Sequence, residues 1–172
     1  MDRYCKRLIE VDLPIKRISA HARREKEMRR GHVPLLHIWW ATRPPAACRA
    51  IICASMLPDP ADKLCPGAFT DKLKTILRTW ITSHLHLLGN ESFKHFIRLQ
   101  KEPTLIENSL ELRHSLLNLI SDFSNPENAK KEVYLSTFRE LISIAHTAQN
   151  DSPIGIPLVF DPFSGGGVIP LE

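Results

Sequence analysis

The residues best suited to bind a ligand lie near the C-terminus, in the run VFDPFSGGGVIPLE at residues 159–172. The apolar residues 157–161 predict a buried strand that ends at Asp161, and Val168 onward indicates the start of a helix. Glycines between these elements let the backbone approach a ligand closely, and the free N–H groups of a helix N-terminus attract anions. The pattern favours a nucleotide-like ligand. A glycine turn that only connects two core elements is the alternative.

Three kinds of nucleotide-binding glycine loop can be compared with this one. A phosphate-binding P-loop ends in Gly-Lys-Ser/Thr, but Val168 follows Gly167, so this kind is excluded. A dinucleotide fingerprint requires Gly or Ala where Pro170 stands, so an NAD-binding loop ranks second. The third kind is the cofactor loop of methyltransferases that use S-adenosylmethionine.

Basic residues are concentrated at the other end of the sequence. Residues 1–50 have a net charge of +7, whereas residues 51–172 have a net charge of −3. Good helix formers from Lys16 to Arg30 predict one basic helix with a thin apolar stripe. Such a basic face is typical of nucleic-acid-binding proteins and equally of a solvated helix surface. The candidates for contacts with DNA are Arg23, Arg24, Arg29 and Arg30.

An aromatic segment follows this helix and has two interpretations. Trp40 could stack on a base, with Arg43 and Arg49 on phosphates. Adjacent tryptophans before a proline are more often core anchors, and Arg43 then pairs with a carboxylate. The second interpretation is favoured for the tryptophans, and the arginines of the basic helix remain open.

Cysteines and histidines give no pattern of metal ligands. None of the four cysteines forms a Cys-x-x-Cys pair, and Cys48 and Cys53 lie among small apolar residues typical of a core. His84 and His86 are two apart on a predicted helix and point to different faces. We therefore predict no metal site. The remaining histidines of the predicted helices are isolated and expected to be structural: His95, His114 and His146.

The elements that must position these residues are mostly helices. Two prolines predict a buried helix from about residue 45 that stops near Pro58. Apolar spacing from Leu73 to Leu88 predicts one long amphipathic helix ending at Gly89. Three further helices are predicted: one through Phe93, Phe96 and Ile97, one from Leu105 to Phe123, and one capped by Asn125-Pro126 that carries Val133 to Ala145.

Composition excludes several classes of protein. The chain has 172 residues, of which 43% are hydrophobic and 24% are charged, as in ordinary folded domains. No apolar run reaches the ~18 residues of a membrane span, and the charged first thirty residues do not resemble a signal peptide. We therefore expect a cytoplasmic protein with no membrane partner.

Two blocks of the sequence resemble one known family. Asp161 to Gly167 resembles the Asp-Pro-Phe-x-Gly-x-Gly motif of DNA methyltransferases that methylate amino groups. A second block within residues 8–57 consists of Ile9-Glu10-Val11, Pro14, Arg24-Glu25-Lys26, Arg30-Gly31-His32, Leu36-His37, Trp39-Trp40-Ala41, Arg43-Pro44 and Ala47-Cys48-Arg49-Ala50. This block resembles the N-terminal domain, of unknown function, of large prokaryotic adenine-specific DNA methylases. In that family a helical stretch and an Asp-Pro-Phe-x-Gly-Gly-Gly-x-Ile-Pro-Leu-Glu loop follow, and residues 161–172 reproduce the loop.

The resemblance implies a mainly α chain that leads into the first strand and glycine loop of an α/β Rossmann-like methyltransferase domain, which is incomplete. It divides the chain into a basic region at residues 1–57, a helical region at 58–150 and the start of the cofactor domain at 151–172. The implied S-adenosylmethionine-binding residues are Asp161, Pro162, Phe163, Gly165, Gly166 and Gly167. Asp161 would lie near the amino group of the cofactor, and the glycine N–H groups near its methionine end.

The resemblance also implies an incomplete active site. The family's Asp-Pro-Pro-Tyr-type motif, which holds the target base, does not occur in the sequence, and Asn125-Pro126-Glu127 is no match for it. We expect the chain alone to be inactive and the remaining methylase polypeptide, or a partner subunit, to supply the rest. DNA is the expected substrate. The alternative is a non-catalytic, basic helical module that binds nucleic acid or a partner subunit.

Overall fold

Six α-helices lie within the residues that this computed structural model describes, which are 4–28, 44–150, 155 and 157–159. They are α1 (Ile15–Met28), α2 (Pro45–Met56), α3 (Gly67–Thr79), α4 (Asn90–Lys101), α5 (Ser109–Ser124) and α6 (Glu132–Asn150). The shorter turns are a π-helical turn at Trp80–His84 and 3-10 turns at Leu8–Glu10, Leu85–Leu87 and Pro103–Glu107. The predicted mainly helical class is confirmed for these ranges, which contain no strand. None of their helices is long and apolar enough to cross a bilayer.

The first two helices begin and end close to their predicted positions. α1 confirms the basic helix as far as Met28, and Arg29 and Arg30 lie outside the described residues. α2 begins at Pro45 because proline presets the backbone angle of a first helical turn. Both of its cysteines are buried, as predicted.

The segment before α1 is held against the end of α2. Leu8 N donates a hydrogen bond to Leu57 O at 3.1 Å, and Asp59 N donates to Lys6 O at 2.8 Å. The guanidinium of Arg7 donates to the last carbonyl of α2 at 2.8 Å. One of the basic residues of the N-terminal region therefore has an internal structural role.

The long amphipathic helix predicted after residue 73 is interrupted. Trp80–His84 form a π-helical turn, followed by a 3-10 turn. Trp80 Nε1 donates to Thr137 Oγ1 at 3.1 Å, and the Tyr134 hydroxyl donates to Leu87 O at 3.0 Å. These contacts with α6 stabilise the wide turn. Periodic apolar spacing does not distinguish it from a continuous helix, so the prediction was wrong at this point.

Two predicted helix starts are also wrong. The helix expected from Leu105 begins only after Asn108, whose side chain accepts a hydrogen bond from Leu110 N at 2.9 Å as an N-cap. Asn125-Pro126 does not begin α6: the Asn125 side chain accepts a hydrogen bond from Glu127 N at 3.2 Å, but residues 126–130 form turns. Asn128 then donates to Asp122 O at 2.9 Å, which holds this segment as turns. α6 starts after them.

One hydrophobic core is contributed by all six helices and by the segment before α1. Its centre is aromatic. The rings of Trp80 and Tyr134 have centroids 4.8 Å apart, and those of Phe123 and Phe138 stack at 4.7 Å. Each large apolar side chain buried in this way stabilises the fold by about 1.5–3 kcal/mol.

The strand predicted over residues 157–161 is described only in part. Pro157, Leu158 and Val159 do not form a strand, and Leu158 is 96% exposed. A strand requires a neighbour to pair its N–H and C=O groups, and the described part of the chain supplies none. These three residues therefore do not show the predicted buried strand. Residues 160–172, with the glycine loop, lie outside the described residues.

Candidate functional site

Most of the predicted site residues lie outside the described residues. These are Asp161, Pro162, Phe163, Gly165, Gly166 and Gly167 of the cofactor loop, and Arg29, Arg30, Trp40 and Arg43 of the predicted DNA contacts. Arg23 and Arg24 are described and exposed on α1. Arg24 forms an ion pair with Glu127, which neutralises part of that surface.

Arg49, considered for phosphate contacts, has a different role. It is buried, and its guanidinium lies 3.3 Å from both Phe123 O and Ser124 O, to which it donates. The same group lies 5.5 Å from the centre of the Phe123 ring, a cation–π distance. These contacts explain its position inside the fold, so the phosphate interpretation is wrong for Arg49.

Arg17 is the centre of a polar network that the sequence did not predict. From α1 its guanidinium donates to Asn118 Oδ1 at 2.6 Å, to Asp122 Oδ1 at 2.7 Å and to Ser92 Oγ at 2.9 Å. Glu91 Oε2 lies 3.4 Å from its Nε atom. One side chain therefore connects α1, α4 and α5.

Asp122 is the buried acidic partner in this network. Burial raises the pKa of its carboxyl group, while the Ser92 hydroxyl, the Arg17 charge and the Gly89 N–H lower it. Gly89 N donates to Asp122 Oδ2 at 3.1 Å. A Cβ atom on Gly89 would lie 2.8 Å from Asp122 Oδ1, so the close approach requires glycine. Gly89 is the N-cap residue of α4 rather than the end of the predicted helix.

A cleft of about 400 Å³ opens beside this network, between α1 and the turns that follow α5. Arg17, His21, Asp122 and Lys131 are among its lining residues. Burial and the Arg17 charge lower the pKa of His21, which favours its neutral imidazole. Because Arg17 and Asp122 form an ion pair with each other, the cleft offers a polar surface rather than an activated nucleophile.

A second arginine–carboxylate pair joins the segment after α2 to α5. Arg113 Nε donates to Asp59 Oδ1 at 2.7 Å and its Nη2 to Asp59 Oδ2 at 2.5 Å, a bidentate geometry. Asp59 is 2% exposed. Hydrogen bonding to Asp59 raises the pKa of Arg113 above its ordinary value. This pair fixes the end of α2 against α5.

The histidines of α4 and α5 are not isolated, contrary to the sequence prediction. His95 and His114 have ring centroids 4.4 Å apart. Together with Glu111 they place one possible metal-ligand atom each within 4.8 Å of one another. The pKa of His95 is lowered to about 4, mainly by burial and secondly by the neighbouring His114. These three residues could hold a metal ion, and the Glu-x-x-His spacing on α5 was the available sequence signal.

The described residues define a helical protein whose buried charges connect helices. Residues 12–80 match the model of one protein family, described as a protein of unknown function (DUF1156). The matched range runs from just before α1 to Trp80. No curated protein and no solved structure matches the chain. Arg17 and Asp59 lie inside the matched range but pair with residues of α5 outside it, so this range packs against the rest of the chain through charged contacts.

Proposed function

We propose that this chain is the N-terminal part of an S-adenosylmethionine-dependent DNA methyltransferase that acts on an exocyclic amine, in the first place that of adenine. The observation that carries the proposal is that two similarities occur in the expected order along the sequence. A family match at residues 12–80 overlaps the block that resembles the start of adenine-specific methylases. The methylase-like loop at residues 161–172 follows in the expected place.

The cofactor loop would supply the first half of a binding site. In this proposal the Asp161 carboxylate accepts a hydrogen bond from the amino group of the cofactor. The N–H groups of Gly165, Gly166 and Gly167 approach its methionine end, where the absence of side chains leaves room. S-adenosylmethionine supplies a methyl group on a sulfonium ion. Pro162 and Phe163 would shape the apolar side of the pocket.

The described residues next to this loop support its attachment to a further element. Gly155 lies against α6, so close that a Cβ atom on it would be 2.6 Å from Ser143 Oγ. Leu158 and Val159 follow, and their side chains are exposed, by 96% and 49%. These exposed apolar side chains are available for burial against a partner. In the proposed enzyme that partner is the rest of the methyltransferase sheet.

The chain alone is expected to bind cofactor without transferring the methyl group. Methyl transfer requires the amine in line with the sulfonium, and positioning supplies much of such a rate enhancement. The motif that would hold the amine is absent from the 172 residues. Cofactor binding and methyl transfer are therefore expected to separate in experiment.

Calorimetric titration with S-adenosylmethionine tests the proposal. We expect weak binding that Asp161→Ala abolishes, while Asp71→Ala, a matched change on the exposed surface of α3, leaves it unchanged. Incubation with duplex DNA and methyl-labelled cofactor should give no labelled DNA. Absence of binding, or equal binding by the Asp161→Ala variant, would remove the basis of the proposal.

A second candidate function is a non-catalytic module that binds nucleic acid through α1. The observation that favours it is the exposure of Lys16 and Arg23 on that helix. Arg7, Arg17 and Arg49 form contacts within the fold, and these contacts reduce the positive charge available to a partner. The exposed basic surface is therefore smaller than the net charge of residues 1–50 suggests.

Fluorescence anisotropy with a labelled duplex at several salt concentrations tests this candidate. Phosphate contacts give an affinity that falls steeply with salt. If α1 binds DNA, Arg23→Glu should weaken binding and flatten the salt dependence, whereas Lys101→Glu, the same kind of charge change at the end of α4, should have little effect. Equal effects of the two variants would exclude α1 as the contact surface.

A further inference from the structure

The cluster of His95, Glu111 and His114 lies where α4 packs against α5. Glu111 and His114 are three residues apart on α5 and therefore share a face of that helix. His95 reaches them from α4. The three residues differ in exposure: His95 is buried, Glu111 is partly buried and His114 is exposed. The cluster is thus accessible from solvent on the side of His114.

Hydrogen bonding fixes which ring nitrogen of His95 carries hydrogen. The Ser115 hydroxyl lies 2.7 Å from Glu111 O, and since a carbonyl cannot donate, the hydroxyl donates to it. The same hydroxyl oxygen lies 2.8 Å from His95 Nε2 and must accept from it. Nε2 therefore carries hydrogen, which leaves the Nδ1 lone pair free to face the cluster.

The group opposite His95 Nδ1 is also an acceptor. Glu111 Oε2 lies 3.9 Å from Nδ1, too far for an N–H···O hydrogen bond. This oxygen is buried and has no hydrogen-bond partner, whereas Arg98 pairs with the other oxygen, Oε1. Two acceptors thus face each other without a hydrogen between them. A buried carboxylate oxygen without a partner costs about 1–3 kcal/mol or more, and a cation placed between the two acceptors would remove that cost.

We propose that His95 Nδ1, Glu111 Oε2 and one ring nitrogen of His114 bind a zinc ion. Two imidazoles and one carboxylate are a usual set of three protein ligands for Zn²⁺, with a fourth position open to water or another ligand. Donor atoms around a tetrahedral zinc ion lie about 3.3 Å apart, given bonds of about 2.0–2.1 Å. The three candidate donor atoms lie within 4.8 Å of one another, so they must move closer together to bind the ion. A small rotation of the exposed His114 side chain can bring them closer.

Two neighbours hold the ligands as outer partners commonly do in zinc sites. Ser115 accepts from the second nitrogen of His95, and Arg98 binds the second oxygen of Glu111. Such partners orient the ligands and maintain their protonation state. The ion would cross-link α4 and α5. This inference is independent of the proposed methyltransferase function, because the cofactor loop takes no part in it.

Zinc titration of the full chain, after removal of metal with a chelator, tests the site. We expect one equivalent to bind and to raise the melting temperature. His114→Ala should weaken zinc binding more than about tenfold. His86→Ala is the matched control, since His86 is also exposed, and it should bind as the original chain does. Equal affinity of the two variants would overturn the proposal.

Cobalt(II) substitution separates this site from binding by cysteines. Absorption bands of nitrogen and oxygen ligands are expected, and they should disappear in the His114→Ala variant. Thiolate-to-cobalt charge-transfer bands would instead place the ion on cysteines and overturn the proposal. Because His114 is exposed, its replacement is not expected to unfold the chain, and circular dichroism of the variant verifies this.

Discussion

Two ion pairs formed by arginines of α1 differ in their burial and in the hydrogen bonds around them. Arg17 and Asp122 have side chains that are 19% and 4% exposed, and they share hydrogen bonds with α4 and α5. Arg24 and Glu127, which pair two helical turns further on, have side chains 55% and 56% exposed. The first pair is part of the interior, and the second lies in solvent.

The comparison shows that the energy of an arginine–carboxylate contact depends on its surroundings. An exposed pair contributes about 0–1 kcal/mol, because water screens the charges. A buried pair has lost its hydration, so its attraction mainly offsets that loss, and removal of one partner leaves a buried charge without compensation. The two pairs should therefore respond very differently to the same substitution.

The largest effect is expected from Arg17→Met. Methionine retains the apolar stem but leaves the Asp122 carboxylate without its cation and removes the donors to Asn118 and Ser92. We expect a loss of about 3–5 kcal/mol in the free energy of unfolding. Urea denaturation followed by circular dichroism measures it. A loss below about 1 kcal/mol would mean that the pair behaves as if it were exposed.

A double variant should recover part of this loss. Asp122→Asn added to Arg17→Met removes the remaining buried charge, and the amide oxygen can still accept a hydrogen bond from Gly89 N. The double variant should be more stable than Arg17→Met by about 1–4 kcal/mol, since buried charges carry most of the penalty. A double variant that is less stable than the single one would show that the carboxylate contributes through contacts other than Arg17.

Acidification should have the same effect as that second substitution. Burial raises the pKa of Asp122, and Arg17 opposes the increase. Without Arg17 the folded-state pKa of Asp122 lies further above its unfolded value. The protonated carboxyl then stabilises the folded state at low pH, and this contribution is lost as pH rises through the folded pKa. The stability difference between the original chain and Arg17→Met should therefore shrink from pH 7 to pH 4 in urea denaturation.

The sequence predicted what local signals determine and missed what packing determines. The start of α2 at Pro45 and the basic helix α1 follow from neighbouring residues. The Arg17–Asp122 contact spans 105 residues, so no local pattern indicates it. His95 and His114 lie on different helices, and only the packing of α4 against α5 brings their rings together.

The smallest effect is expected from Arg24→Met, the same substitution on the same helix. Loss of the exposed contact with Glu127 should change the free energy of unfolding by about 0–1 kcal/mol. Whatever change occurs should diminish at high salt, because exposed charges are screened over about 10 Å at 0.1 M ionic strength. The Arg17→Met effect should persist at high salt, since its charge is shielded from solvent ions. Urea denaturation of both variants at low and high salt measures the contrast. Equal salt dependence would contradict the assignment of one pair to the interior and the other to the surface.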